Sequence, residues 1–300
     1  MSVLAIGAFA LIACDGLESD APSLSSESSG LTLSLSQSVT AGGGFSCAIV
    51  GGGRVRCWGY NGFGQLGNGT TTGSATPVLT TNITNAVAIA GGANHACALL
   101  STGHVRCWGA NYNGQLGNGS MAHSSEPVAV TGITAAVQIT SGANHSCAIL
   151  SDSTARCWGW NEYRQLGNQG STANSTLPVT VQAPGASPLT GITSIAAGSF
   201  HTCASLSSGG ARCWGSNSSG QLGTGTFFIV PGIASVALAS GDLASRVSVG
   251  GSQSCAVLTS GQARCWGRNA NVSVRWTAPG GAVLMAAGSC GSRGAQVAAA

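Results

Sequence analysis

Only 6% of the 300 residues are Asp, Glu, Lys or Arg, against about a quarter in an ordinary globular protein, so the surface must rest on hydroxyls, amides and backbone. The chain has no lysine, and from residue 41 onward eleven arginines face four acids, Glu126, Asp152, Glu162 and Asp242. That mild positive excess favours anionic partners, but its spread along the chain argues against a nucleic-acid-binding stripe. So few carboxylates leave no repeated acid pair of the kind a glycosidase needs.

At the amino terminus, residues 3–13 form an uncharged run that is too short to span a bilayer and has the length of a signal-peptide core. It ends in Leu11-Ile12-Ala13-Cys14, which resembles the lipobox of bacterial lipoproteins, with Cys14 the residue that would carry lipid. The expected layout is therefore a signal peptide over residues 1–14 and a Ser-rich linker over 15–40, with the repeats filling 41–300. Within the linker, Leu31, Leu33 and Leu35 alternate, which predicts a strand over 31–39 that closes a ring against the last repeat.

The tetrapeptide Arg-Cys-Trp-Gly begins at residues 56, 106, 156, 212 and 264, so the units are spaced by 50, 50, 56 and 52 residues. Such a period marks a solenoid or a propeller. Each unit opens with an apolar stretch ending in glycine (Gly42, Gly92, Gly142, Gly198, Gly250), followed by two cysteines: Cys47 and Cys57, Cys97 and Cys107, Cys147 and Cys157, Cys203 and Cys213, Cys255 and Cys265. Asparagine follows each tryptophan by three, and four units add Gln-Leu-Gly at Gln65, Gln115, Gln165 and Gln221. The fifth lacks it and decays into a degenerate tail, where Cys290 stands out of register.

Between the paired cysteines lie two short β-favouring runs joined by three residues, with glycine last in four of the five units. This is the pattern of a hairpin whose third loop residue is left-handed. No long stretch holds helical periodicity, so the prediction is an all-β chain of about five 50-residue blades. Units carrying Gly, His-x-Cys-Ala, Cys-Trp-Gly-x-Asn and Gly-Gln-Leu-Gly resemble the regulator-of-chromosome-condensation repeat family over residues 41 to about 267. The resemblance implies a β-propeller, usually seven-bladed. Five good units and a decayed tail fall short of that, so the ring is expected to be smaller, open or truncated.

Zinc knuckles space their cysteines two to four apart, whereas nine residues separate each pair here, so no metal site is expected. A three-residue loop puts the two cysteines directly opposite, about 4.5 Å apart at Cα, within disulfide reach. Disulfides are the favoured reading and buried free thiols the alternative. Closing each eleven-residue loop would stabilise a blade by about 3 kcal/mol.

His95, His145 and His201 precede the first cysteine where the other units hold Phe45 and Gln253, which favours packing and hydrogen bonding over catalysis. The recurring tryptophans read as packing between blades, and the recurring arginines as blade-to-blade hydrogen-bonding groups. No nucleophile, base or phosphate loop recurs, so neither an enzyme nor a cofactor is expected. Residues that break the repeat carry the binding expectation: Tyr60, Phe63, Tyr112, Trp160, Tyr163 and Arg164.

The resulting reading is a non-enzymatic binding protein, lipid-anchored on a bacterial envelope and meeting the membrane only through that anchor. It would present loops to a protein or glycan. An exported inhibitor resembling the propeller inhibitors of β-lactamase is the alternative. Guanine-nucleotide exchange, which the family resemblance also suggests, ranks lower, because an exported address separates the chain from any GTPase.

Overall fold

The computed structural model describes residues 38–268. The signal-like segment with Cys14, residues 15–37 of the linker, with all but the last two residues of its expected strand, and the tail with Cys290 lie outside the described residues.

Five antiparallel sheets follow one another along the chain. Blade 1 comprises β1 (Val39–Ala41), β2 (Phe45–Val50), β3 (Arg54–Gly59) and β4 (Ser74–Leu79), paired in chain order. Blade 2 repeats this with β5 (Ala86–Gly91), β6 (His95–Leu100), β7 (Val105–Gly109) and β8 (Ser124–Ala129). Blade 3 uses β9 (Ala136–Ser141), β10 (His145–Leu150), β11 (Ala155–Gly159) and β12 (Ser175–Thr180). In blade 4, β13 (Ile192–Ala197), β14 (His201–Leu206) and β15 (Ala211–Gly215) are followed by a two-residue outer strand, β16 (Ala234–Ser235). Blade 5 shows three strands, β17 (Ala244–Val249), β18 (Gln253–Leu258) and β19 (Ala263–Gly267).

Period-two burial drives these strands: in β3, Val55 and Cys57 are buried while Arg54 and Arg56 face solvent. Pro77, Pro127 and Pro178 all fall in the outermost strands, where a missing N–H removes no ladder bond. The hairpin turns take the expected form, with Gly53, Gly103, Gly209 and Gly261 at φ between +73° and +82°. Ser153 holds the same position at +61°, and Asp152 braces that turn by accepting from both the N–H and the hydroxyl of Thr154. Each cysteine pair lies in register across its hairpin and is disulfide-bonded, with Cα atoms 4.0–4.1 Å apart.

The core lies between blades. Phe45, Val55 and Leu66 of blade 1 pack with Ile89 and Trp108 of blade 2, and Leu99, Val105 and Leu116 of blade 2 pack with Ile139 and Trp158 of blade 3. Blades 3 and 4, and blades 4 and 5, share clusters built the same way.

At the inner edge the approach is backbone on backbone. A Cβ on Gly42 would come within 2.5 Å of the Gly92 carbonyl oxygen, one on Gly92 within 2.6 Å of that of Gly142, and one on Gly198 within 2.5 Å of that of Gly250. Alongside, the Gly43 N–H donates to Ala93 O (2.9 Å), Ala93 N–H to Ala143 O (3.0 Å) and Ala143 N–H to Gly198 O (3.3 Å). The series stops at blade 5, where the atoms nearest a Cβ on Gly250 belong to its own Gln253. Among the described residues both ends of the series lack a covering neighbour: Trp58 is partly open and Cys265 is exposed, whereas Trp108, Trp158 and Trp214 are fully buried. Among the described residues the five sheets thus stay open, consistent with a truncated propeller.

Gly142→Ala would drive its methyl into the Gly198 carbonyl and the His145 ring, and is expected to destabilise the protein by about 3 kcal/mol or more. Gly51→Ala, whose methyl would meet nothing within 4 Å, is expected to be neutral or stabilising by up to about 1 kcal/mol. Denaturant titration of the two variants against the parent measures the contrast.

Candidate binding face

Each blade's tryptophan reaches back across a seam. The indole N–H groups of Trp108, Trp158, Trp214 and Trp266 donate to the main-chain oxygens of Gln65, Gln115, Gln165 and Gln221 of the preceding blade, all at 2.9 Å. These tryptophans therefore pack between blades, as their recurrence suggests. The glutamine side chains turn inward on their own loops, accepting from the N–H of Phe63, Asn113, Tyr163 and Ser219. The arginines behave differently from the expectation: Arg56 and Arg106 donate to the carbonyls of Pro77 and Pro127 within their own blades. Their long side chains run along the hairpin surface to the adjacent outer strand and do not enter the seam.

The buried histidines also bridge blades, since His95, His145 and His201 place Nε2 at 2.8, 3.0 and 2.8 Å from the hydroxyls of Ser146, Thr202 and Ser254 in the following blade. Thr202 and Ser254 pass their own protons to the Gln165 and Gln221 carbonyls, so Nε2 is the donor and Nδ1 carries the lone pair. No Nδ1 of the three has a partner among the described residues. Burial lowers His95 and His201 to about 4 and His145 to about 3, the neighbouring histidines adding to the shift at His145. Buried and neutral near pH 7, these imidazoles help hold the seams between blades.

Strand direction sorts the loops onto two faces. The turns at 42–44, 92–94, 142–144, 198–200 and 250–252 emerge at one end, together with the long loops that follow Cys-Trp-Gly. Hairpin turns and blade connections emerge at the other, including the loop expansion held by the Gln182–Pro188 bridge. All six loop residues singled out by sequence lie on the first face. Arg164 sits there at φ +66°, where other blades hold Gly64, Gly114 and Gly220, and its Nε donates to the Gly170 carbonyl at 3.0 Å. It braces its own loop.

The remaining five join two aromatic clusters. Phe63 lies edge-on to Tyr60 (centroids 6.2 Å apart), Tyr112 (5.7 Å) and His123 (5.6 Å), so blades 1 and 2 share one cluster. Blades 3 and 4 share the other, in which Trp160 meets Tyr163 at 5.5 Å and Phe200 at 5.3 Å. The pairing follows an alternation: two and five residues past the tryptophan, blades 1 and 3 carry aromatics, while blade 2 has Ala110 and Asn113 and blade 4 has Ser216 and Ser219. Repeat spacing does not single out His123 or Phe200. Aligning the units would have flagged Phe200, which stands where the others place Gly44, Asn94, Asn144 and Ser252.

A third apolar feature went unread. Asn217 ties down the carbonyls of Thr226 and Phe228, as Asn61 ties those of Thr70 and Thr72, yet here the braced loop leaves Phe227 and Phe228 69% and 78% exposed.

Stapled antiparallel blades, seamed by a tryptophan and presenting variable loops on one face, define a repeat β-propeller. The chain belongs to the RCC1-like domain family, whose profile matches residues 15–293. No curated protein matches it. Human WBSCR16 is structurally similar at 21% identity and a TM-score of 0.67, the match covering 77% of this chain and 61% of that one. So is Prp20p from Saccharomyces cerevisiae, described with its binding to Gsp1p and histones, at 25% identity and 0.63, with 75% and 56% covered. The chain thus spans about three fifths of the length of these two relatives.

The three histidines carry a pH signature. Above about pH 6.5 they are neutral whether the chain is folded or unfolded; below it the unfolded chain takes up protons that the folded one refuses until pH nears 4. Stability should therefore fall with acidification, by about 2 kcal/mol per histidine at pH 5 relative to pH 7. Replacing all three by glutamine, the residue blade 5 uses, should flatten the slope of unfolding free energy measured from pH 7 to 5.

Proposed function

We propose that this chain is a non-enzymatic binding protein, exported and held on a bacterial envelope by lipid on Cys14, that engages a protein or a glycan through its aromatic face. The observation that carries the reading is the gathering of variable aromatic side chains onto one face of a rigid seamed frame. Tyr60, Tyr112 and Phe228 expose 51%, 57% and 78% of their surface there. Exposed aromatics on stiff loops are good binding anchors because few rotamers are lost on docking. Five disulfides suit an oxidising compartment, and the Leu-Ile-Ala-Cys sequence supplies the anchor. Relatives also point to protein partners, since yeast Prp20p binds Gsp1p and histones and has been solved with Kap60.

An exported enzyme inhibitor is the second reading. It is favoured by the Phe227-Phe228 loop, whose braced, exposed rings suit insertion into a cleft. Nucleotide exchange ranks below both, because disulfides and a cytosolic GTPase belong to different compartments.

A photo-crosslinking amino acid placed at Tyr112 in intact cells should capture an envelope component that the same group at Arg54, on the opposite face, does not. Equal capture from both positions, or capture from Arg54 alone, would overturn the assignment of the face. Incorporation of a palmitate analogue should be lost in Cys14→Ala, and unchanged labelling would refute the anchor.

A further inference from the structure

We infer that the aromatic face is a binding site for an uncharged glycan, a conclusion that rests on the reading of that face given above. The two aromatic clusters are joined by an amide pair: Asn174 Nδ2 of blade 3 donates to Asn113 Oδ1 of blade 2 at 3.1 Å. Reading around the rim, the order is an aromatic platform over blades 1 and 2, an amide bridge, and a second platform over blades 3 and 4. Pyranose chains have the matching chemistry. Each ring offers an apolar C–H face that stacks on an aromatic side chain, and a girdle of hydroxyls that both donate and accept.

The polar atoms near the platforms are open for such pairing. Asn113 Nδ2 and the phenol groups of Tyr60 and Tyr112 have no hydrogen-bond partner among the described residues, while Asn174 Oδ1 is held in place by the Asn161 N–H at 3.0 Å. Burial against an apolar protein ridge would leave those donors unpaired; sugar hydroxyls would satisfy them. Charge decides between glycans. The platform loops carry Glu162 and Arg164, of opposite sign, and the Glu126 carboxylate lies beside Gly69 of the blade 1 loop, so no positive field favours a uronate or a sulfated chain.

Affinity electrophoresis of the full chain tests this, in gels cast with mixed-linkage β-glucan, glucomannan, xylan or dextran, and with alginate and heparin as charged comparisons. The detergent should be a polyoxyethylene type, because an alkyl glycoside would compete. At least one neutral polysaccharide should retard the protein. Tyr112→Ala and Trp160→Ala should each weaken the interaction about tenfold, with unchanged far-ultraviolet circular dichroism. Asn113→Ala should weaken it too, and Leu243→Ala on the opposite face should behave as the parent. Retardation by no neutral polysaccharide, by charged ones alone, or equally for parent and aromatic variants would overturn the glycan assignment. Protein capture at position 112 without any polysaccharide retardation would sink the glycan and leave the binding face standing; loss of both would sink both.

Discussion

The main-chain carbonyls of Gln65, Gln115, Gln165 and Gln221 are the points on which the propeller depends. Each accepts the next blade's indole N–H, and those of Gln165 and Gln221 also take a hydroxyl, from Thr202 and Ser254, so that both lone pairs are used. That hydroxyl in turn receives the imidazole Nε2 of the blade before it. Around these polar contacts the tryptophans bury entirely in blades 2 to 4, which contributes about 5 kcal/mol of transfer free energy apiece. Orientation and driving force thus come from the same side chain. A blade alone would leave its tryptophan wet and its glutamine carbonyl partnerless, so the blades are stable only in company.

Local features of this frame were legible in the sequence because their partners are close in the chain. The cysteines face each other across a three-residue turn, and hydrophobic alternation with turn chemistry defines the hairpin around them. The tryptophans were legible for a different reason, since strict recurrence at one blade position implies a contact that every blade makes with its neighbour. Arg56 shows the limit of that logic: it recurs just as strictly, yet its bond to Pro77 stays inside the blade. Repetition reveals that a role is shared without revealing the direction in which the side chain reaches.

The aromatic face was legible in part. Tyr60, Phe63, Tyr112, Trp160 and Tyr163 stand out as departures from the repeat, but what makes them clusters is the seam, which brings Phe63 against His123 and Trp160 against Phe200 from different blades. Those partners lie tens of residues away, and no local pattern encodes the contact. Letters shared by all units build the frame, and letters that differ between units decorate one end of it. Similarity to Prp20p and WBSCR16 follows from the first set. It transmits nothing about the second.

Among the described residues all five disulfides are confined to hairpins, and none links one blade to the next. Under tension applied through the chain ends, such an arrangement would yield one blade at a time while withholding the segment inside each staple. A repeat of about fifty residues would release roughly forty, or about 140 Å of extended chain, and the remainder would stay knotted at its base. Were the chain tethered as proposed, each blade would be a short fuse of fixed length: the frame would shed blades in sequence under load, and the hairpins left behind would keep the register from which a blade refolds.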